Sequence, residues 1–192
     1  TDGIRGIANR QITPDLAFKC GNALAQAGAD KIVIGRDTRQ SGDMLAVSLA
    51  SGALSGGCDV IDVGIVPTPC IAYLTDVLDC RFGVVISASH NPPEFNGIKV
   101  FSSLGVKLAD EEEERIEKFM ATTVLADGCA TGKYTQTRAV EIYRNFLSDT
   151  IDEIHQQIRH STMFQVLRVP QNKSLEGFLH SANSPDKYRY SP

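Results

Sequence analysis

Apolar positions along this chain fall into short continuous runs that alternate with stretches of helical periodicity. Over 13–27, Leu16, Cys20, Ala23, Leu24 and Ala27 recur at helical spacing behind Thr13-Pro14, an N-cap followed by proline at the first helical position. The spacing predicts a helix there. Lys31 to Gly35 (K-I-V-I-G) is an apolar run closed by glycine and predicts a buried strand. A second helix is predicted over 42–55, with Met44, Leu45, Leu49 and Leu54 as its larger apolar contacts. Ala46, Ser48, Ala50, Ser51, Gly52 and Ala53 are small enough to let that helix approach a sheet closely, and Gly56-Gly57 ends it. Strands over 58–63 and 82–87 flank a break at Pro67-Thr68-Pro69 and a short helix over 71–78. One more strand over 97–101, a helix over 110–120 and an amphipathic helix from Val140 to about Ile154 follow. From His155 onward no period is sustained, which predicts an irregular C-terminal tail.

Strict alternation of strand and helix predicts the α/β class, a layered α/β/α domain with helices on both faces of a mixed, mainly parallel sheet. That domain is expected over 1–150, leaving 151–192 as the end of the last helix and an unassigned tail. The composition, 192 residues with 42% hydrophobic and 22% charged, suffices for one core. A net charge of -4 provides no basic stripe to neutralise a run of phosphates, which argues against a nucleic-acid partner. No apolar run approaches the roughly 20 residues of a membrane span, and no signal peptide opens the chain, so no membrane partner and a cytoplasmic location are expected. The cysteines, Cys20, Cys58, Cys70, Cys80 and Cys129, are odd in number and widely spaced, as reduced, mostly buried thiols would be. The acidic run Glu111 to Glu114 suits the positive end of a helix dipole on a solvated face.

Chemistry concentrates in Ser87-Ala88-Ser89-His90-Asn91-Pro92, where a predicted strand runs out into a loop. Open α/β sheets hold their ligands there. A serine is a nucleophile when its proton can be taken and a group donor when its oxygen already carries an ester, and an adjacent His90 and Asn91 can orient such a group. Taken alone, S-H-N-P describes a polar turn equally well. Arg36, Asp37 and Arg39 are read as a local ion pair that shapes their loop rather than as catalytic groups.

The segment Ile86 to Pro92 (I-S-A-S-H-N-P) with Asn96-Gly97-Ile98-Lys99 resembles the active-site signature of the α-D-phosphohexomutases. The opening Thr1-Asp2-Gly3-Ile4-Arg5-Gly6, the segment Gly35-Arg36-Asp37-Thr38-Arg39 with Ser41-Gly42, and Gly64 to Pro69 (G-I-V-P-T-P) are similar to that family in order and approximate spacing. Within it, T-D-G-I-R-G combined with S-A-S-H-N-P is most similar to the phosphoglucosamine mutase branch. The resemblance implies a phosphoserine at Ser89 that passes its phosphoryl group to a sugar monophosphate and recovers one from the resulting hexose bisphosphate. It further implies Arg5 facing the phosphoserine, Lys99 as a proton-transfer and charge-stabilising group, and His90 as a neighbour orienting phosphate or substrate. Without the resemblance, these three are ordinary surface cations and a turn histidine. Mg²⁺ is the implied cofactor, and the ligand expected from this chain is Ser89 through its phosphate. The family's D-G-D-x-D-R metal loop, its sugar-recognition loop and its R-x-S-G-T loop have no match in these residues, so most Mg²⁺ ligands and the sugar contacts are expected from elsewhere. The expected activity is therefore interconversion of glucosamine 6-phosphate and glucosamine 1-phosphate by an isomerase of which this chain is a part, or which self-association completes. The alternative is a non-catalytic remnant of the same fold that binds phosphate or a partner.

Overall fold

The computed structural model describes residues 3–127 and 130–160, with the side chains of 158–160 left aside. The expectations for Thr1, Asp2, Cys129 and the tail from 161 lie outside the described residues. The chain divides into two compact units, Thr1–Phe146 and Leu147–Pro192. Of the second, only residues 147–160 are described, and they continue a helix.

In order, the elements are β1 (Ile4–Ile7), α1 (Pro14–Gln26), β2 (Lys31–Arg36), α2 (Gly42–Ser55), β3 (Asp59–Ile65), α3 (Thr68–Val77), β4 (Phe82–Ile86), β5 (Phe95–Ser102), α4 (Asp110–Met120), β6 (Tyr134–Gln136) and α5 (Val140–His160). One sheet holds all six strands in the order β1-β5-β4-β2-β3-β6. β2 pairs in parallel with β3 and β4, and β6 in parallel with β3, whereas β5 runs antiparallel to both β1 and β4. The mixed, mainly parallel α/β sheet expected from the alternation is the one observed.

Side-chain alternation along the strands divides the core in two. On one face, Ile32 and Ile34 of β2, Val84 and Ile86 of β4 and Ile98 of β5 meet Leu24, Leu45, Leu49 and Ile116 of α1, α2 and α4. On the other, Val33 and Val85 meet Cys70, Ile71 and Leu74 of α3. The start of α5 sits on this second side, where Tyr73 stacks on Phe146 at 4.1 Å and lies tilted against Tyr143 at 5.7 Å between ring centroids. Among the described residues no helix is long and apolar enough to cross a membrane.

Local chemistry accounts for the helix positions. Thr13 Oγ1 accepts the Leu16 amide at 3.2 Å and Pro14 opens α1, as its sequence predicts. α1 and α2 then pack almost backbone to backbone: a Cβ on Gly21 would stand 1.9 Å from the Leu49 carbonyl oxygen, and one on Gly52 would stand 1.9 Å from that of Phe18. Asn22, buried at the same contact, donates to the Gly52 and Val124 carbonyls.

Three differences from expectation stand out. The break at Pro67-Thr68-Pro69 is the first turn of α3, where a proline forfeits no helical hydrogen bond. Helix α5 runs six residues past Ile154, to His160. Strands β1 and β6 lie where no strand was predicted.

Four free cysteines, Cys20, Cys58, Cys70 and Cys80, are buried. Burial raises all four thiols, Cys20 and Cys58 to about 12 and Cys80 to about 11, with neighbouring Asp30 and Asp59 adding to the rise at Cys58. In the unfolded chain these thiols ionise near their ordinary value, so they favour the folded state fully below about pH 9 and progressively less as pH rises towards 12. Urea titrations should therefore show stability falling above pH 9, with a shallower fall in Cys20→Ala. A thiol reagent at pH 8 should label these cysteines only once the chain is unfolded. Gly52→Ala should cost about 3 kcal/mol in the same titration, because the methyl group meets fixed backbone.

Candidate active site

The carboxyl ends of the parallel strands β2 and β4 lie side by side, with Arg36 in register with Ile86. Two loops consequently leave the sheet together, one through Asp37 to Ser41 and the other through Ser87 to Glu94. The Asp37 amide donates to the Ile86 carbonyl at 3.1 Å, extending the strand pairing into the loops. Ser87 Oγ donates to Asp37 Oδ2 at 2.6 Å and accepts the Ser89 amide at 2.9 Å.

That amide bond holds Ser89 in an uncommon backbone conformation, with φ +55°. For a residue other than glycine the left-handed region costs roughly 1–2 kcal/mol. The turn raises the Ser89 side chain off the sheet into solvent while Ala88 before it is buried. His90 is exposed next to it, with Nδ1 3.4 Å from Ser89 Oγ.

Strand register brings the cations to the same place. Arg5 lies opposite Gly97 across the β1–β5 ladder, and Lys99 lies opposite Val85 across the β5–β4 ladder. Gly97 and Lys99 are two residues apart on one strand, so Arg5 and Lys99 share the face of the sheet that carries α3. A Cβ at Gly97 would stand 2.7 Å from the Ile4 carbonyl oxygen and 3.0 Å from that of Ser87, so only glycine lets β1 and the serine loop close in together.

A small cavity of about 30 Å³ results, lined by Arg5, Thr68, Val85, Ser87, Ser89 and Lys99 together with Ile4 and Ile98. Larger clefts, of about 610 Å³ beside Gly64 and Arg138 and about 400 Å³ between Asn9 and Met44, hold none of the expected site residues. Chemistry rather than volume singles out the small cavity, which sets a hydroxyl beside two cations at the strands' carboxyl ends. Of the residues picked out in the sequence, Arg5, Ser89 and Lys99 line it, and His90 stands at its edge without lining it.

Sequence reasoning missed several neighbours. Thr68 reaches the cavity from the first turn of α3, and its signal is the Pro-Thr-Pro segment, whose two prolines read as a break. Arg36 does not join Asp37; it pairs with Asp43 at 2.5 Å and with the buried Asp62 at 3.4 Å. Asp37 and Arg39 do pair, at 3.0 Å, and Arg39 also reaches the serine loop. Asp62 additionally accepts the Tyr134 hydroxyl at 2.7 Å, and burial followed by this bond raises that phenol to about 12.

Residues 1–126 match the family model of the phosphoglucomutase/phosphomannomutase α/β/α domain I. The chain belongs to this family. A phosphoglucosamine mutase of Alkaliphilus metalliredigens is 49% identical to it over 162 residues, which is 79% of this chain and 36% of that protein. One from Clostridioides difficile is 57% identical over 125 residues, covering 62% of this chain and 28% of the relative. Among solved structures, a phosphoglucomutase/phosphomannomutase family protein from Burkholderia thailandensis superposes with a TM-score of 0.63 at 29% identity, over 74% of this chain and 33% of the other. This family member thus spans 36% and 28% of the length of these two curated relatives.

Replacing Ser87 with alanine removes the acceptor of the Ser89 amide and should loosen the serine loop by about 1 kcal/mol. Amide exchange followed by NMR should show Ser89 exchanging faster while the β4 amides keep their wild-type rates.

Proposed function

We propose that this chain is the phosphoserine-bearing part of a phosphohexomutase that interconverts glucosamine 6-phosphate and glucosamine 1-phosphate through a hexose bisphosphate. Residues 1 to about 150 constitute the domain responsible. The observation that carries the reading is the exposed Ser89 hydroxyl in one cavity with Arg5 and Lys99.

Phosphoryl transfer spreads charge over three equatorial oxygens and asks the protein for alignment and positive charge more than for covalent machinery. Arg5 and Lys99 supply the charge. In the forward step the bond from phosphorus to Ser89 Oγ breaks as a bond to a sugar hydroxyl oxygen forms, and the hydroxyl proton passes by way of Lys99 to the departing Ser89 oxygen. The same step in reverse, on the other phosphate of the bisphosphate, restores the phosphoserine. His90, within 3.4 Å of the serine oxygen, orients the phosphate or the incoming sugar.

Mg²⁺, when bound, would neutralise charge on the transferring group. Among the described residues no three His, Cys, Asp or Glu side chains converge on such a site. Asp37, hydrogen-bonded to this loop, spends both carboxylate oxygens on Arg39 and Ser87. The ligand to Mg²⁺ assigned to this chain is Ser89, through the oxygens its phosphate would supply.

Incubation with glucose 1,6-bisphosphate should add one phosphoryl group to the chain, mapped to Ser89 by mass spectrometry and absent from Ser89→Ala. Arg5→Ala should slow its appearance by about 10²- to 10³-fold, the usual cost of a lost preorganised donor. With glucosamine 6-phosphate and Mg²⁺ added, the chain by itself should give no appreciable turnover. Sustained turnover would point to a cleft completed by a second copy, and failure to phosphorylate Ser89 would leave a phosphate- or partner-binding role.

A further inference from the structure

The guanidinium of Arg39 is the most heavily committed polar group near the candidate site. Its Nε donates to Asp37 Oδ2 at 3.0 Å. Nη1 donates to the carbonyls of Pro92 at 2.6 Å and Phe95 at 2.9 Å, and Nη2 to those of Ser89 and Asn91, each at 2.8 Å. Five N–H groups are all a guanidinium has, and each has an acceptor. Its side chain is only 10% exposed.

Three of those acceptors are backbone oxygens of the one loop that carries Ser89, and the fourth belongs to Phe95, the residue at which the loop enters β5. Besides these the loop is held by short polar contacts, the Ser89 amide on Ser87 Oγ, Ser87 Oγ on Asp37 and Asn91 bonding back to the Ala88 carbonyl, while Ser89, His90, Pro92, Pro93 and Glu94 are exposed and Ala88 is buried at its entrance. Apolar burial therefore contributes little to its shape, and Ser89 must still be kept at a φ of +55° that its side chain disfavours. Pairing with Asp37 balances the guanidinium's charge, so Arg39 constrains the loop without adding a net cation beside the phosphate.

We propose that Arg39 is a positioning residue for phosphoryl transfer, a planar clamp that spans the Ser89 loop and fixes the direction in which Ser89 Oγ faces its donor and acceptor. This rests on the reading of Ser89 as the phosphoryl carrier. Transfer requires the attacking oxygen, phosphorus and leaving oxygen to align, and a misplacement of about 1 Å costs about 10²-fold in rate. Lysine keeps the charge but offers three donors from one point, which cannot reach carbonyls spread from Ser89 to Phe95.

The test compares wild type with Arg39→Lys in the rate of Ser89 phosphorylation by glucose 1,6-bisphosphate, as a function of donor concentration, and in amide exchange. The expected result is a rate about 10²-fold lower at saturating donor with the half-saturating concentration unchanged. Exchange at the Ser89 and Asn91 amides should be roughly tenfold faster while β4 and β5 keep wild-type protection. Should Arg39→Lys fail to fold, Asp37→Asn, which weakens the guanidinium's anchor, gives the same readouts, with Ser87→Ala as the control for loss of the Ser87–Asp37 bond. An unchanged rate at saturating donor, or strand amides that open together with the loop, overturns the proposal. If wild type itself takes no phosphate on Ser89, the reading of the serine fails and the positioning role fails with it. If wild type and the variant are phosphorylated alike, only the positioning role falls.

Discussion

Everything at the candidate site depends on β4 being hydrogen-bonded along both edges, to β2 in parallel and to β5 in antiparallel fashion. All five of its residues are buried, so neither its register nor its facing can slip without exposing the core. The parallel edge delivers Asp37 to the start of the serine loop. The antiparallel edge delivers Lys99, and through β5 the opposing Arg5 of β1. A nucleophile candidate and its cations thus arrive from chain positions 5, 37, 89 and 99 through strand pairing, with no long side chain needed to bridge between elements.

The clamp on the loop follows from the same geometry. Two loops leaving adjacent strand ends are close enough for one arginine to cross between them, and the Asp37 carboxylate is already at hand to orient its guanidinium. Such an arrangement holds backbone oxygens rather than side chains. It leaves the Ser89 hydroxyl and His90 ring uncommitted to fastening the loop and open to solvent.

Much of this was legible in the sequence where local chemistry governs. Thr13-Pro14 announced α1 and the K-I-V-I-G run announced β2, whereas the small residues of α2, expected to approach a sheet, include Gly52, which with Gly21 lets α1 and α2 close on each other. Strand β1 was not legible, because I-R-G-I interrupts its apolar pattern with the very arginine that matters, and only pairing with β5 makes it a strand. Strand β6 is three residues long and exposed throughout, so it carries no burial signal. At the site, the signature residues stood out as a group, whereas the partners of Arg36 and Arg39 did not. Charge spacing suggests that Arg36, Asp37 and Arg39 interact with each other, and Asp37 and Arg39 do pair, yet strand and loop geometry sends Arg36 to Asp43 and Asp62 and lets Arg39 reach on to the loop of Ser89.

The left-handed turn at Ser89 also bears on which alcohol this position can carry. Glycine and asparagine suit the backbone but bring no hydroxyl. Threonine brings one, yet its branched Cβ is poorly tolerated at positive φ. The fold therefore selects serine over threonine as the oxygen bearer before any chemistry is asked of it, and any exchange of the two would first have to reshape the loop.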